Sequence, residues 1–441
     1  MDLLRSVLVI SNKKFTSANR LPKTSAPEFV DADTASILLG IKPQTLYSYV
    51  SRGLVRVAPK QGTKKSQYFL EDLEEAKLKG RRVSIPRQAS EQVIHIGSSF
   101  VLHTAITAIS ADGPIYRGRL AVDLVRQRRC FEDCVELMWS GTLPQQRTNW
   151  RRVELNETFV AFTKNIGNIA GVNSPRRIMA LTTEAFAASS GPNAEAQLGV
   201  PILAARDLIQ VLAPVFGFLT DRRSYKLGEE YEPIASVVGQ SCGLDVPAEV
   251  LDIIDACLIL AADHELAPST YAVRIAASTG ADVFACINSA LGAFDGLLTG
   301  MGCDESEDAL LNARSPNEFV KSIVLKRTNK ESISGFGHPL YPKGDPRAAI
   351  LLKMVRDVSG RNQVVNRMLR CIEAVHNETG LAPNLAVALV VMSNALKMPR
   401  QSAGALMALG RTAGWVAHIF EQRLAGFIVR PRAKYVGTPR L

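Results

Sequence analysis

Residues 246–265 read VPAEVLDIIDACLILAADHE, and this stretch decides the fold class. Val250, Ile253, Ile254, Cys257 and Leu258 recur at the i, i+3, i+4, i+7, i+8 spacing of one helix face, and Pro247 stands where a helix begins. The same three-to-four-residue repeat returns from about residue 90 to the end of the chain, with few alternating strand patterns, so the body is expected to be all-α. It contains no repeat of 20 to 50 residues, no glycine-rich phosphate loop and no dinucleotide fingerprint, which argues against P-loop and nicotinamide chemistry. At 441 residues and 46% hydrophobic content, the chain can bury two or three domain cores. Its longest uncharged run near the C-terminal end, Thr379 to Leu396, is interrupted by Pro383, Asn384, Ser393 and Asn394. A buried helix is expected there, and no membrane span. Seven cysteines are scattered. Cys130 and Cys134 lie at helical spacing with no second pair or nearby histidine, so no metal site is expected and a reducing cytoplasm fits best.

Charge divides the chain unevenly. The net charge is +10, yet residues 1–90 hold 16 Lys and Arg against 8 Asp and Glu, so +8 of the excess sits in the first fifth. A basic appendage with its own partner, attached to a nearly neutral body, is the simplest reading. Residues 1–28 read as a disordered basic tail, although their composition also suits an organelle-targeting segment.

Within DADTASILLGIKPQTLYSYVSRGLV, Ala35, Leu38 and Leu39 share one helix face, Gly40 makes a turn, Pro43 opens a second helix, and Leu46 and Val50 point inward before Gly53. Residues 29–82 resemble the MerR-type winged helix-turn-helix family, with VRVAPKQGTKKSQYFLEDLEEAK as hairpin wing and following helix. The resemblance implies that Gln44, Thr45, Ser48 and Arg52 face outward on the second helix and that Lys60, Lys64 and Lys65 reach phosphates of DNA. An assembly or regulatory role for the same domain stands open beside DNA binding.

Five further stretches occur in order: GPIYRGRLAVDLV, AADHELAPSTYAVRIAASTGADVFACINSALGAFDGLLTGMG, GFGHPLYPKGDPRA, LAPNLAVAL and GRTAGWVAHIFEQRLAGFIVRPR. Together they resemble the citrate synthase and 2-methylcitrate synthase family, which condenses an acyl-CoA with a 2-oxo acid. The resemblance implies a large helical domain made of residues 83–299 and 385–441, a small closing domain at 300–384, and a homodimer. In such chemistry a carboxylate removes a proton beside the thioester, one histidine stabilises the enolate, another donates to the attacked ketone, and cations hold the dicarboxylate. The resemblance implies no cofactor beyond acyl-CoA as substrate.

Carried over position by position, the anion-holding set is present. His264 in ADHE, Arg347 in DPR and Arg411 in GRTAGW fall on the family's oxaloacetate-binding positions, and Arg430 in RPR falls on the arginine lent by the other subunit. His338 in GFGH falls on the ketone-facing acid. The chemical set is broken. Where the family reads Gly-Pro-Leu-His-Gly-Gly, this chain reads Gly-Leu-Leu-Thr-Gly-Met, placing Thr299 at the enolate-stabilising histidine. Where the family reads Pro-Asn-Val-Asp, this chain has Pro383, Asn384, Leu385 and Ala386, and alanine cannot accept a proton. Losing a general base costs about 10² to 10⁴ in rate and losing one oxyanion donor about 10² to 10³. Thr299 retains a hydroxyl, and Pro339 and Pro342 replace residues more often polar or basic on the CoA side. His95, His103, His376 and His418 read as structural. Three functions are therefore open: a weak or altered condensing enzyme, a dicarboxylate or acyl-CoA sensor coupled to DNA, and a regulatory subunit that forms a mixed dimer with an active paralogue.

Overall fold

The computed structural model describes residues 102–166 and 174–430 apart from 192–193, 198–200 and 361, together with 29–39, 46, 50, 55–59, 66–69, 72–73 and 437. The chain divides into two compact units, Met1–Ser90 and Glu91–Leu441.

The first unit holds β1 (Phe29–Val30), α1 (Ala32–Leu39), β2 (Val57–Pro59) and β3 (Ser66–Phe69), the strands forming an antiparallel sheet in the order β1-β3-β2. Ala35, Leu46, Val55, Tyr68 and Leu73 make a small core of its own. Arg56 lies 4.5 Å over the Phe69 ring and pairs with Asp72. Gln44, Thr45, Ser48, Arg52, Lys60, Lys64 and Lys65 lie outside the described residues, as does His95.

The second unit begins with a feature that the helical periodicity did not announce. Strands β4 (Thr107–Ser110), β5 (Gly113–Tyr116) and β6 (Arg119–Leu120) form an antiparallel sheet joined tightly through Ala111 and Asp112. Runs this short carry too few residues for a period of two to register. Helices follow: α2 (Ala121–Arg126), α3 (Phe131–Ser140), α4 (Glu157–Ile166), α5 (Pro175–Ser189), α6 (Ala194–Gln197), α7 (Pro201–Leu212), α8 (Ile234–Ser241) and α9 (Ala248–Ala261). After these come α10 (Pro268–Ser278), α11 (Val283–Phe294), α12 (Met301–Asn312), α13 (Pro316–Thr328), α14 (Pro346–Ser359), α15 (Gln363–Thr379), α16 (Leu385–Ala395) and α17 (Ser402–Ala425). The unit is predominantly α-helical. Pro201–Leu219 is long and apolar enough to cross a membrane, but 67% of its most apolar 18-residue window is buried inside the fold.

Helix α17 is the axis. Ser402 to Ile419 are buried without interruption, and the helix packs on α3, α9, α10, α11 and α16. Because α9 lies between α17 and outer helices, Ile253 to Ala261 are buried all round, which is why its C-terminal half is apolar on every face except at Asp255, whose carboxylate accepts the Phe131 N–H at 2.8 Å. Gly414 sets the closeness of that packing. A Cβ there would lie 2.4 Å from Asp263 Oδ1 and 2.5 Å from the Ala262 carbonyl oxygen. Only glycine lets α17 approach the end of α9 this far, and its N–H donates to the Ala262 carbonyl at 3.1 Å.

Candidate active site

Three segments converge where α9 ends. The first is Ala262 to Glu265. Tyr116 on β5 is fully buried, and its hydroxyl lies 3.0 Å from the Ile259 carbonyl and 3.2 Å from that of Asp263, pinning the end of the helix to the sheet. Asp263 accepts from the Glu265 N–H at 3.1 Å and faces His418 Nε2 at 3.3 Å. Its carboxyl is held below the usual range because His418 and Arg411 outweigh its burial. Glu265 takes a left-handed backbone conformation (φ 55°), which completes the bend and leaves His264 turned inward.

The second segment is the turn Gly335–Asp345. Gly335 (φ 85°) cannot carry a side chain, since a Cβ would come 2.2 Å from Val387 on α16. The turn is zipped to the start of α16: Asn384 N–H donates to the Gly335 carbonyl at 2.9 Å, Gly337 N–H to that of Ala382 at 2.7 Å, and Asn384 Nδ2 to that of Gly337 at 3.1 Å. His338 therefore stands beside the stretch that holds Ala386. Asp345 then caps α14 and grips Arg347 with both carboxylate oxygens, at 3.0 and 2.8 Å. It also accepts from the N–H groups of Arg347 and Leu385, at 3.0 and 3.1 Å. Four donors saturate the carboxylate, and Arg347 holds its pKa below the ordinary value despite burial.

The third segment is the face of α17 carrying Arg411, Gly414 and His418, spaced i, i+3, i+7. Arg411 is 6% exposed, and its Nε and Nη1 are buried with no hydrogen-bond partner. Burial and the neighbouring Arg347 push its pKa down, opposed by Asp263.

His264, His338, Arg347 and Arg411, matched separately along the chain, thus form one group. The two imidazole centroids are 5.0 Å apart and their rings steeply crossed at 73°. Tyr341 lies among them: its hydroxyl is 3.0 Å from His264 Nε2, its ring is 4.8 Å from that of His338, and the Arg347 guanidinium carbon is 5.4 Å from its centroid. Burial, together with Arg347 and Arg411, drives the His264 pKa far below its ordinary value; the same causes bring that of His338 to about 4. Both imidazoles are neutral at pH 7. The His338 Nδ1 accepts the Leu340 N–H at 3.1 Å, which leaves Nε2 to carry the ring proton and makes it a donor.

The two positions expected to carry the remaining chemistry behave differently. Ala386 is half-buried in the first turn of α16, its N–H donating to the Asn384 side chain, and offers only a methyl group. The Thr299 hydroxyl is turned back onto its own turn, donating to the Phe294 carbonyl at 2.7 Å with those of Gly296 and Ala293 nearby. It closes the C-terminal end of α11, so the donor that its identity promised is already committed. Arg430 is exposed, one residue beyond Val429, whose N–H donates to Ser278 Oγ at 3.0 Å. Among the described residues, no three His, Cys, Asp or Glu side chains cluster as metal ligands. Sequence reasoning missed Tyr341, Asp345 and Asp263. Each stands within three residues of a matched position, but nothing in spacing or periodicity separates them from their neighbours.

The family profile described as "Citrate synthase, C-terminal domain" matches residues 97–432. Citrate synthase 2 of Bacillus subtilis (strain 168) is 28% identical over 360 residues, covering 76% of this chain and 94% of that protein. 2-Methylcitrate synthase 2 of Corynebacterium glutamicum is also 28% identical, over 366 residues, covering 76% and 92%. Among solved structures, the citrate synthase of Thermoplasma acidophilum, in a ternary complex with carboxymethyl coenzyme A and oxaloacetate, has the same fold with a TM-score of 0.68 at 21% identity, covering 78% of this chain and 96% of that one.

Proposed function

The chain belongs to the citrate synthase family, and we propose that its pocket still takes a 2-oxo dicarboxylate of the oxaloacetate type, beside a place for acyl-CoA, while the proton abstraction that starts condensation is largely lost. The observation that carries this reading is Arg411. A guanidinium with two buried, unpartnered donors, set beside a second arginine and two neutral imidazoles and balanced only in part by Asp263, offers hydrogen bonds that a bound carboxylate would complete. His338 Nε2–H supplies a donor suited to a ketone oxygen, and Arg347, oriented by Asp345, supplies a second cation.

Neither buried carboxylate of this group, Asp345 or Asp263, stands ready to replace the missing base. Asp345 is saturated by four donors, and Asp263 is buried behind Gly414 and held ionised by His418. Any condensation is therefore slow. In a dimer, Arg430 would complete the site of the neighbouring subunit, which also suits a mixed dimer with an active paralogue.

A thermal melt tests the binding half of this reading. Millimolar oxaloacetate should raise the melting temperature of the purified chain, as any ligand binding only the folded state does. The gain should be larger at pH 5.5 than at pH 7.5. His338 is depressed to about 4 in the free pocket, and an adjacent dianion raises an imidazole pKa, so binding takes up protons and strengthens as pH falls. No shift at either pH would remove the dicarboxylate from the account.

A second reading, a ligand sensor that reports through DNA, draws on the N-terminal unit, which has its own core and an antiparallel hairpin between β2 and β3. Band-shift titration of the full chain on the duplex upstream of its own gene should show binding at low salt that fades steeply as salt rises and changes when oxaloacetate is added. Absence of any shift at low salt leaves only an assembly role for this unit.

A further inference from the structure

Two residues that follow one another in the turn after His338 touch the two pocket imidazoles in opposite ways. Leu340 presents its main-chain N–H to His338 Nδ1. Tyr341 presents its hydroxyl to His264 Nε2 at 3.0 Å. A main-chain amide can only donate, so the first contact fixes His338 as the Nε2–H tautomer. The second contact is decided by what else the phenol meets. The residue is 3% exposed, and besides the two imidazoles its polar surroundings are the guanidiniums of Arg347 and Arg411 and the Asp345 carboxylate, whose oxygens are already taken by four donors. Both guanidiniums are pure donors. Burial holds the phenol at about 12, so it keeps its proton at neutral pH, and His264 is neutral and has one ring nitrogen free to accept. Among the described residues, the only hydrogen-bond partner of the Tyr341 hydroxyl is that imidazole nitrogen.

We propose that Tyr341 is a positioning residue that donates its O–H to His264 Nε2, fixing His264 as the Nδ1–H tautomer so that Nδ1 is the donor offered to a bound anion. The consecutive residues Leu340 and Tyr341 thereby set the two imidazoles in opposite tautomers, one offering Nε2–H and the other Nδ1–H. If His264 took the other tautomer, its Nε2–H would be spent on the phenol oxygen and its lone pair would face the incoming carboxylate, a repulsive arrangement. The ligand part of the proposal rests on the anion-site reading above; the tautomer part does not.

The full-length chain labelled with [¹⁵N]histidine tests it directly, because long-range ¹⁵N–¹H correlation spectra at pH 7.5 read which nitrogen of each imidazole carries the proton. His264→Gln identifies the His264 signals by their loss. The unmodified protein should show His264 protonated on Nδ1 and His338 on Nε2. Tyr341→Phe should move His264 to the Nε2–H form or a mixture, leave His338 unchanged, and weaken oxaloacetate binding about fivefold, the worth of one neutral hydrogen bond. A His264 protonated on Nε2 in the unmodified protein overturns the proposal, since Tyr341 is then the acceptor; so does a tautomer that Tyr341→Phe leaves unmoved. Because the spectra need no ligand, failure of oxaloacetate to bind would count against the anion site and leave the tautomer assignment standing.

Discussion

Arg411→Gln should abolish dicarboxylate binding and leave the protein as stable as before or more so, whereas Arg347→Gln should abolish binding and destabilise the fold. The two arginines are equally buried, yet their surroundings differ. Arg347 is paired bidentately with Asp345, whose side chain is wholly inaccessible. Removing it leaves a buried carboxylate short of its cation, a change that costs about 3–5 kcal/mol. Arg411 has no such bond. Its Nε and Nη1 are unsatisfied, and it stands close enough to Arg347 for the two charges to repel. Each buried unsatisfied donor costs about 1–3 kcal/mol, and a neutral glutamine removes most of that cost. Asp263 loses a favourable neighbour but keeps His418 and the Glu265 N–H. Each substitution removes charge-assisted hydrogen bonds to the ligand worth about 1.5–3 kcal/mol apiece, so binding should weaken about 10²-fold or more in both. Melting curves with and without oxaloacetate distinguish the pair. A large loss of stability in Arg411→Gln would mean that the residue holds the fold together and that its unmet donors are no sign of a ligand.

The second large effect concerns positions 386 and 299, where the proposed function puts the lost base and the lost enolate donor. Ala386→Asp should raise the rate of CoA release from acetyl-CoA and oxaloacetate by about 10²–10⁴, the usual worth of a placed general base. Adding Thr299→His should contribute up to about 10²–10³ more, the worth of one oxyanion donor. The first change is well tolerated structurally: position 386 lies in the first turn of α16, beside the Asn384 cap, where a carboxylate is favoured by the exposed N–H groups. The second has a cost that follows from the structure. Thr299 seals the end of α11 by donating to the Phe294 carbonyl, and Gly300 N–H donates to the same oxygen at 2.7 Å. Histidine cannot reproduce the hydroxyl bond, so Thr299→His alone should lower stability by about 1 kcal/mol while giving little activity without the base. Steady-state CoA release by the two single variants and the double variant measures both terms. Equal, unmeasurable rates in all three would place the defect elsewhere, with Pro339 and Pro342 as the first place to look.

Much of this site was legible as sequence because its cations sit in stretches whose neighbours repeat a family order. His264, Arg347, Arg411 and His338 could be named one by one, and the structure brings all four together. What could not be read is how far each group is already satisfied. Thr299 and Asp345 look, as letters, like a spare donor and a spare carboxylate. In the folded chain the hydroxyl is committed to a helix end and the carboxylate to four donors, because hydrogen-bond saturation depends on groups far apart in sequence, such as Leu385 and Asp345. Tyr341 has no distinguishing mark in its stretch, since only folding sets its hydroxyl on a histidine 77 residues away. The helical body followed from apolar spacing, whereas the sheet of β4 to β6 did not, its strands being two to four residues long. Yet that sheet carries Tyr116, which pins the His264 segment in place.

Titration calorimetry with acetyl-CoA already in the cell and oxaloacetate in the syringe tests the central claim most directly, because one trace reads both binding and turnover. Saturable heats that return to the baseline after each injection are expected, as a dicarboxylate fills a pocket that cannot start the reaction. A sustained deflection proportional to protein concentration would show rapid condensation and contradict the loss of the base at Ala386; a trace with no binding heat in the melt-validated range would contradict the retained anion site.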